Sequence, residues 1–297
     1  MVQHEAVPPR RVVLLTNPTA GKGRGAQYAS VAHTRLREAG VEVDEVTGPD
    51  STRALAAARA CLTPGHDALV VCGGDGTVHL GLQLVAGTGV PLGIVACGTG
   101  DDVAQYLDLP RRDPLAAVDR ILAGRTVTID LAKSGSTWFA TVLAAGFDAV
   151  VNERANQMRW PSGQMRYNIA TLVELRTFTP LRYTLDLDGE IVHTAAMLVA
   201  VGNGRSFGGG LRIAEGASLH DGLLDVVVIG EMSRARLVRL YPRLFKGTHT
   251  SEPEFVRHRV RRVTVASPGI VAYADGERLG PLPVTVEAVP DAVAVFA

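Results

Sequence analysis

The sequence predicts two domains: an N-terminal α/β domain on a parallel sheet and a C-terminal antiparallel β domain. Three observations predict it. Up to about residue 125, short apolar runs alternate with amphipathic stretches. After Gly124 strand-like runs dominate, separated by turn signals such as Asp188-Gly189 and Asp221-Gly222. With 297 residues, 46% hydrophobic and 20% charged, the chain can bury two ordinary cores.

In the first region Arg11–Thr16 predicts a strand and Gly25–Ala39 a helix ending at Gly40. Val41–Val46 predicts a second strand, and Ser51–Cys61 a helix with Ser51 as N-cap. Ala68–Cys72 predicts a third strand, and Thr77–Ala86 a helix closed by Gly87. Leu92–Ala96 predicts a fourth strand, with a helix from about Asp101. Such alternation implies a parallel sheet covered on both faces, with ligands bound at the carboxyl ends of its strands.

In the second region the predicted strands are Val127–Ala132, Trp138–Ala145, Leu181–Leu187, Ile191–Val201, Leu223–Ile229, Val256–Ala266, Ile270–Ala274 and Val284–Val289. Helical stretches are expected at Asn152–Phe178 and Ser233–Phe245. The expected division is residues 1–125 and 126–289.

The formal net charge is zero, which argues against bulk attraction to nucleic acid. Cys61, Cys72 and Cys97 are odd in number and lie in or beside apolar stretches, as buried free thiols of a reducing compartment do. The first residues, MVQHEAVPPRR, show no apolar signal region, and no stretch approaches 18 apolar residues. A cytoplasmic protein with no transmembrane segment is expected.

Three strand ends carry glycine-rich loops. The third strand runs into Gly73-Gly74-Asp75-Gly76-Thr77. Glycines there let backbone approach a ligand, and a helix start favours phosphate. An aspartate would repel bare phosphate, but suits a divalent cation bound with it. Alone, the stretch is equally a tight turn with Thr77 capping the next helix. The first strand runs into Asn17-Pro18-Thr19-Ala20-Gly21-Lys22-Gly23, whose glycine spacing is not that of a Walker A loop. The fourth runs into Cys97-Gly98-Thr99-Gly100-Asp101-Asp102, which lacks the third glycine of a dinucleotide fingerprint. Three such loops at one sheet edge point to phosphate binding.

These loops, with Ser218-Leu219-His220-Asp221-Gly222-Leu223-Leu224-Asp225 and Ala274-Asp275-Gly276-Glu277, resemble the motifs of the diacylglycerol kinase catalytic-domain family. Bacterial lipid kinases and sphingosine kinases are members. The resemblance spans nearly the whole chain. It implies an ATP-binding first domain of NAD kinase and phosphofructokinase type, and a β-sandwich second domain for the lipid. It also implies that the last strand, within residues 290–297, returns to the first domain. One departure stands out: the family usually has Asn-Asp where this chain has Asp101-Asp102. An amide can donate a hydrogen bond and a carboxylate cannot, so nucleotide binding is where a difference is expected.

Under this resemblance Asn17, Pro18, Gly21, Lys22, Gly23, Gly73, Gly74, Asp75, Gly76, Thr77, Gly98, Thr99, Gly100 and Asp102 are the candidate nucleotide contacts. Asp75, Asp102 and Asp130 are candidates to hold hydrated Mg²⁺. Asp130 is an acid inside an apolar strand, unusual unless partnered or facing solvent. Asp-Gly-Glu occurs twice. Asp188-Gly189-Glu190 lies between two alternating strands and predicts an ordinary hairpin. The resemblance favours the second copy, with Asp275 as base towards a lipid hydroxyl and Glu277 supporting it. Ser218, Asp221 and the Leu223 carbonyl match a structural Mg²⁺ or Ca²⁺ loop of bacterial members; a hairpin at Asp221-Gly222 fits the residues as well.

The leading expectation is an ATP- and Mg²⁺-dependent kinase of diacylglycerol or a related lipid at a membrane surface. Arg257–Arg262 and Arg234, Arg236, Arg239 and Arg243 are candidates to meet anionic headgroups; charged faces of this kind are more often only solvated. A homodimer is compatible with the sequence. The competing readings are a soluble-substrate kinase of NAD kinase type, which shares Gly-Gly-Asp-Gly-Thr, and a non-catalytic nucleotide- or lipid-binding regulator.

Overall fold

A computed structural model of the chain describes residues 6–146, 150–151, 154, 157–158 and 179–297. The helical stretch expected at Asn152–Phe178 lies almost wholly outside the described residues. The chain divides into two compact units. The first comprises Met1–Leu131, Leu219–Asp221 and Val289–Ala297; the second comprises Ala132–Ser218 and Gly222–Ala288.

In the first unit β1 (Arg11–Thr16), β2 (Glu42–Val46), β3 (Ala68–Gly73) and β4 (Leu92–Ala96) form a parallel sheet in the order β2-β1-β3-β4. β3 and β4 are buried along their whole length and β1 along all but its first residue, as strands covered on both faces must be. Val295, near the end of β15 (Val284–Phe296), lies parallel to Leu92. One face packs on α2 (Gly25–Glu38) and α6 (Pro114–Leu122). There Val12, Leu14, Val70 and Val95 meet Tyr28, Ala32, Leu36, Val118 and Ile121. The other face carries α3 (Ser51–Cys61) and α4 (Asp75–Val85). Gly81 brings α4 close: a Cβ there would lie 2.8 Å from Val71 Cγ1.

Two helix starts differ from expectation. Asp50, not Ser51, caps α3, its carboxylate accepting from Arg53 N at 2.8 Å. α4 begins at Asp75 with Gly74 as N-cap, so Thr77 sits inside the first turn and caps nothing.

The second unit is antiparallel, in the order β14-β13-β7-β9-β8-β12-β15. Its strands are β6 (Thr137–Phe139), β7 (Val142–Gly146), β8 (Leu181–Leu187), β9 (Glu190–Gly202), β10 (Leu224–Gly230), β11 (Phe255–Val260), β12 (Arg262–Ala266), β13 (Val271–Ala274) and β14 (Glu277–Pro281), with the first part of β15 and the end of β5 (Thr126–Ser134). The sheet forks at β9, whose first half pairs β8 while its second half pairs both β7 and β10. Apolar side chains of β7, β8, β9, β10, β12 and β13 fill the core between. β10 runs antiparallel to β9, separated from it by all of 203–223, so the bend at Asp221-Gly222 closes no hairpin.

Two predicted strands are broken in the structure. Trp138–Ala145 splits into β6 and β7 at Ala140-Thr141, and Val256–Ala266 splits into β11 and β12 at Arg261. The cause is the same in both. The Asp275 carboxylate takes the amides of Ala140 and Thr141, and the Asp188 carboxylate takes those of Arg261 and Arg262. Amides given to a side chain cannot serve a ladder.

Candidate active site

In the first unit the three glycine-rich loops follow β1, β3 and β4, which are neighbours in the sheet. Much of their glycine serves contacts among the loops themselves. A Cβ on Gly21 would lie 2.0 Å from the Cys97 carbonyl oxygen. One on Gly98 would lie 2.7 Å from Gly74 Cα and 2.5 Å from Asp101 Oδ1. One on Gly73 would lie 2.0 Å from Thr77 Oγ1. The loops therefore interlock at backbone distance, which no side chain would allow.

The first loop turns tightly. Asn17 Oδ1 accepts from Thr19 N and Thr19 Oγ1, an Asx turn that sets the exit from β1. The short turn α1 (Ala20–Gly23) holds Gly21 at φ 59 and Lys22 at φ 63, and Gly23 follows at φ 89. Gly23 N donates back to the Thr19 carbonyl at 3.3 Å and closes the turn. Lys22 and Gly23 are exposed there, as are Asn17, Pro18 and Thr99; Gly76 and Gly100 are half-buried.

Asp75 is the tie between the second and third loops. Its Oδ2 accepts from Asp101 N at 2.8 Å and its Oδ1 from Asp102 N at 2.7 Å. It thereby caps α5 (Asp102–Tyr106) from a neighbouring loop and takes the position an anion would have at that helix start. Burial, and then the charge of Asp102, push the Asp75 carboxyl up to about 7. Asp101 is the N-cap residue of α5, at φ 55, with Oδ1 accepting from Gly98 N at 2.9 Å. An Asn at this position would make the same bond through its own Oδ1, so the departure from Asn leaves the loop's internal hydrogen bond intact. Burial raises the Asp101 carboxyl, and Arg111 and Arg112 act against that rise.

Asp130 is buried on β5, with Oδ1 accepting from Asp291 N and its own amide donating to the Leu219 carbonyl. It is not a solvent-facing residue. Leu219 N donates to Tyr106 Oη and His220 Nδ1 lies 3.1 Å from the Thr128 carbonyl, which docks 219–221 on the first unit. Ser218 and Leu223 lie either side of that segment, in the second unit. Among the described residues only Asp44, Cys61 and His66 bring three such ligand atoms within 4.8 Å of one another. Asp75, Asp102 and Asp130 are not gathered so closely, so these positions suit an ion held through its water shell better than one coordinated by all three. The donor chemistry fits a cation: half-buried Asp75 and buried Asp102 are adjacent carboxylates, and the charge of Asp102 adds to the raised proton affinity of Asp75.

In the second unit Asp275 stands at φ 51 in the turn between β13 and β14. Its Oδ1 accepts from Thr141 N at 2.8 Å and from Thr141 Oγ1 at 2.6 Å, and its Oδ2 from Ala140 N at 3.1 Å. Asn203 braces the same segment, Nδ2 donating to the Ala140 carbonyl at 2.9 Å. Glu277, two residues on, is exposed. Asp188 has nearly the same backbone, φ 52, and a like pair of amide donors, Arg261 and Arg262, in the β8–β9 hairpin the sequence predicts. The two copies differ in the Thr141 hydroxyl, which only Asp275 receives among the bonds the structure gives.

Comparison with known proteins now decides the family. The diacylglycerol kinase catalytic domain matches residues 11–134, and the YegS C-terminal NAD kinase beta sandwich-like domain matches 141–297. The chain belongs to the diacylglycerol kinase catalytic-domain family. It is 45% identical over 292 residues to the diacylglycerol kinase of Mycobacterium tuberculosis, covering 96% of this chain and 94% of that one. It is 25% identical to the diacylglycerol kinase of Bacillus subtilis, covering 92% of each. The fold matches a crystal structure of a diacylglycerol kinase from Bacillus anthracis with a TM-score of 0.77, 22% identity and 98% of each chain covered. It also matches an NAD kinase from Archaeoglobus fulgidus in complex with ATP, at TM-score 0.51 and 15% identity, covering 97% and 92%.

The chain is thus a kinase of this family, with a parallel α/β domain and an antiparallel β-sandwich-like domain. Among its described residues no helix is long and apolar enough to cross a membrane. Sequence reasoning missed Thr141, Asn203 and Tyr106, ordinary residues whose roles exist only through partners 63 to 134 positions away. In this kinase Gly98→Ala is expected to force the second and third loops apart and weaken nucleotide binding about tenfold or more. A fluorescent ATP analogue titrated against both proteins checks it; unchanged affinity would separate the loop packing from nucleotide binding.

Proposed function

We propose that this kinase transfers the γ-phosphoryl group of ATP to a hydroxyl of diacylglycerol or a related lipid. The observation that carries the nucleotide half is the interlocked set of three loops after adjacent parallel strands, with Asp75 and Asp102 side by side beneath them. The names of the relatives carry the acceptor class.

The β1 loop, with Asn17, Pro18, Gly21, Lys22 and Gly23, forms a tight, exposed wall against the phosphates, and Lys22 adds a cation. Gly73, Gly74, Gly76, Thr77, Gly98, Thr99 and Gly100 build the remaining wall. Asp75, Asp102 and Asp130 are the residues to hold hydrated Mg²⁺, which when bound supplies charge neutralisation for the phosphates. Ser218, Asp221 and the Leu223 carbonyl are proposed to hold a second, structural Mg²⁺ or Ca²⁺.

Asp275 is the proposed base. Two amides and the Thr141 hydroxyl fix the carboxylate in one orientation, and a group so positioned removes the proton of a hydroxyl as the new bond forms. Glu277 is the supporting acid. The substrate is a lipid presented at a membrane surface, so the kinase works there peripherally.

The test supplies labelled ATP and Mg²⁺ with detergent-dispersed diacylglycerol, sphingosine, ceramide and phosphatidylglycerol, and NAD in a parallel reaction. Label is expected in one of the lipids. Label in NAD alone, or in none of the acceptors, would overturn the proposal. The same assay on Asp101→Asn should show a changed KM for ATP with the fold retained. An unchanged KM would mean that this carboxylate faces only its own loop.

A further inference from the structure

Most of the basic residues that stand out in the sequence of the second unit are already committed. Arg257 and Arg259 both turn to the fully buried carboxylate of Asp225. Arg262 lies 3.4 Å from Glu287. In helix α7 (Arg234–Lys246), Arg236 reaches Glu252 and Glu254 at 3.1 and 2.9 Å, and Arg243 pairs with Glu252. Arg239 and Lys246 stand apart: both are exposed, and neither has an ion-pair partner among the described residues.

Those two cations flank an apolar strip. α7 buries Leu237, Leu240 and Leu244 in the unit's core. On the opposite side Val238 is 51% exposed and Phe245 43% exposed, with Ala235 and Pro242 exposed beside them. At 100° per residue these four fall within one quadrant of the helix, with Arg239 and Lys246 along its edge. The helix sequence, RARLVRLYPRLFK, contains no acidic residue.

We propose that this outer face of α7 docks on an anionic lipid surface, Val238 and Phe245 entering the headgroup boundary while Arg239 and Lys246 meet lipid phosphates. The proposal rests on the reading that the acceptor is a membrane lipid. Charge complementarity selects the occupant. A second copy meeting this face across a two-fold axis would set cations towards cations, with no acid on either helix and the neighbouring Glu252 and Glu254 already paired with Arg236 and Arg243. An anionic bilayer receives both the apolar strip and the cations at its edge.

The experiment sediments the full chain with vesicles of phosphatidylglycerol and phosphatidylcholine, or of phosphatidylcholine alone, at low and high salt. Sedimentation with the anionic vesicles only, weakened by salt, is expected. The doubles Val238→Ser/Phe245→Ser and Arg239→Glu/Lys246→Glu should each lower the partition by about tenfold or more. All four side chains are exposed, so both variants should fold. Their phosphorylation of a monomeric short-chain diacylglycerol should match the unaltered chain. Unchanged partition in both doubles, or no binding of the unaltered chain to anionic vesicles, would overturn the docking. So would a dimer of the unaltered chain that the doubles dissociate without altered vesicle binding, because the face would then belong to a second copy. Vesicle binding that behaves as expected in a chain that phosphorylates no lipid would leave the docking standing and remove the lipid-acceptor reading instead.

Discussion

Asp275→Asn is expected to lower the rate of lipid phosphorylation by two to four orders of magnitude, the usual worth of a positioned general base. The substitution also has a structural cost. Asn keeps one oxygen for Thr141, but its amide nitrogen meets the Ala140 N–H where Asp275 Oδ2 accepted, and one buried donor loses its acceptor at a cost of about 1–3 kcal/mol. Asp188 provides the control. It accepts the same kind of amide pair, from Arg261 and Arg262, at a strand break of the same design. Those amides are exposed to water, so Asp188→Asn should lower the melting temperature less than Asp275→Asn, while its kcat remains near that of the unaltered enzyme. Steady-state kinetics and thermal melts on the two variants separate base from brace. If both lose activity in proportion to their lost stability, Asp275 is only a structural cap and the base lies elsewhere.

Asp75→Asn is expected to abolish nearly all activity and to remove a pH trend. The folded protein holds the Asp75 carboxyl at about 7, against an ordinary value of 3.8. Between those values the native state binds more proton than the unfolded state, so this group makes stability fall as pH rises from about 4 to about 7. Above that window the contribution is flat. Asn cannot titrate, so the difference in melting temperature between variant and unaltered protein should shift in the variant's favour across the window. Opposing this, the variant loses one of the two acceptors that cap α5, a cost of about 0.5–2 kcal/mol present at every pH. Mg²⁺ competes with the proton at this carboxylate and should raise the melting temperature of the unaltered protein more at pH 8 than at pH 5. Thermal melts with and without Mg²⁺ at several pH values check both points. A Mg²⁺ effect that is equal at pH 5 and pH 8 would remove Asp75 from the metal assignment.

The strand breaks show where sequence reasoning stops. Trp138–Ala145 and Val256–Ala266 alternate well enough to predict single strands, because local pattern reports only which faces are apolar. What breaks them is a pair of aspartates that accept their amides, Asp275 from 134 residues away and Asp188 from 73. No window on the strand itself contains that information. The same holds for Asp75. Its place among glycines marks a special loop, but its hydrogen bonds to Asp101 and Asp102 depend on β3 and β4 being neighbours.

The sequence by itself determined the parallel α/β region, the antiparallel region after it and the family, because apolar period, glycine position and motif order are local properties of the chain. It also marked all three loops and both Asp-Gly-Glu turns. Only the tertiary structure decided what those residues do to one another. It made Asp75 a cap for α5, turned the loop glycines into contacts between loops, gave Asp275 a hydroxyl from Thr141, and committed Arg236, Arg243 and Arg257 to acids while leaving Arg239 and Lys246 exposed. Each of these is a pairing between distant segments, fixed by which strands lie side by side and which helix faces are buried. That is information the packed chain holds and no single stretch of it does.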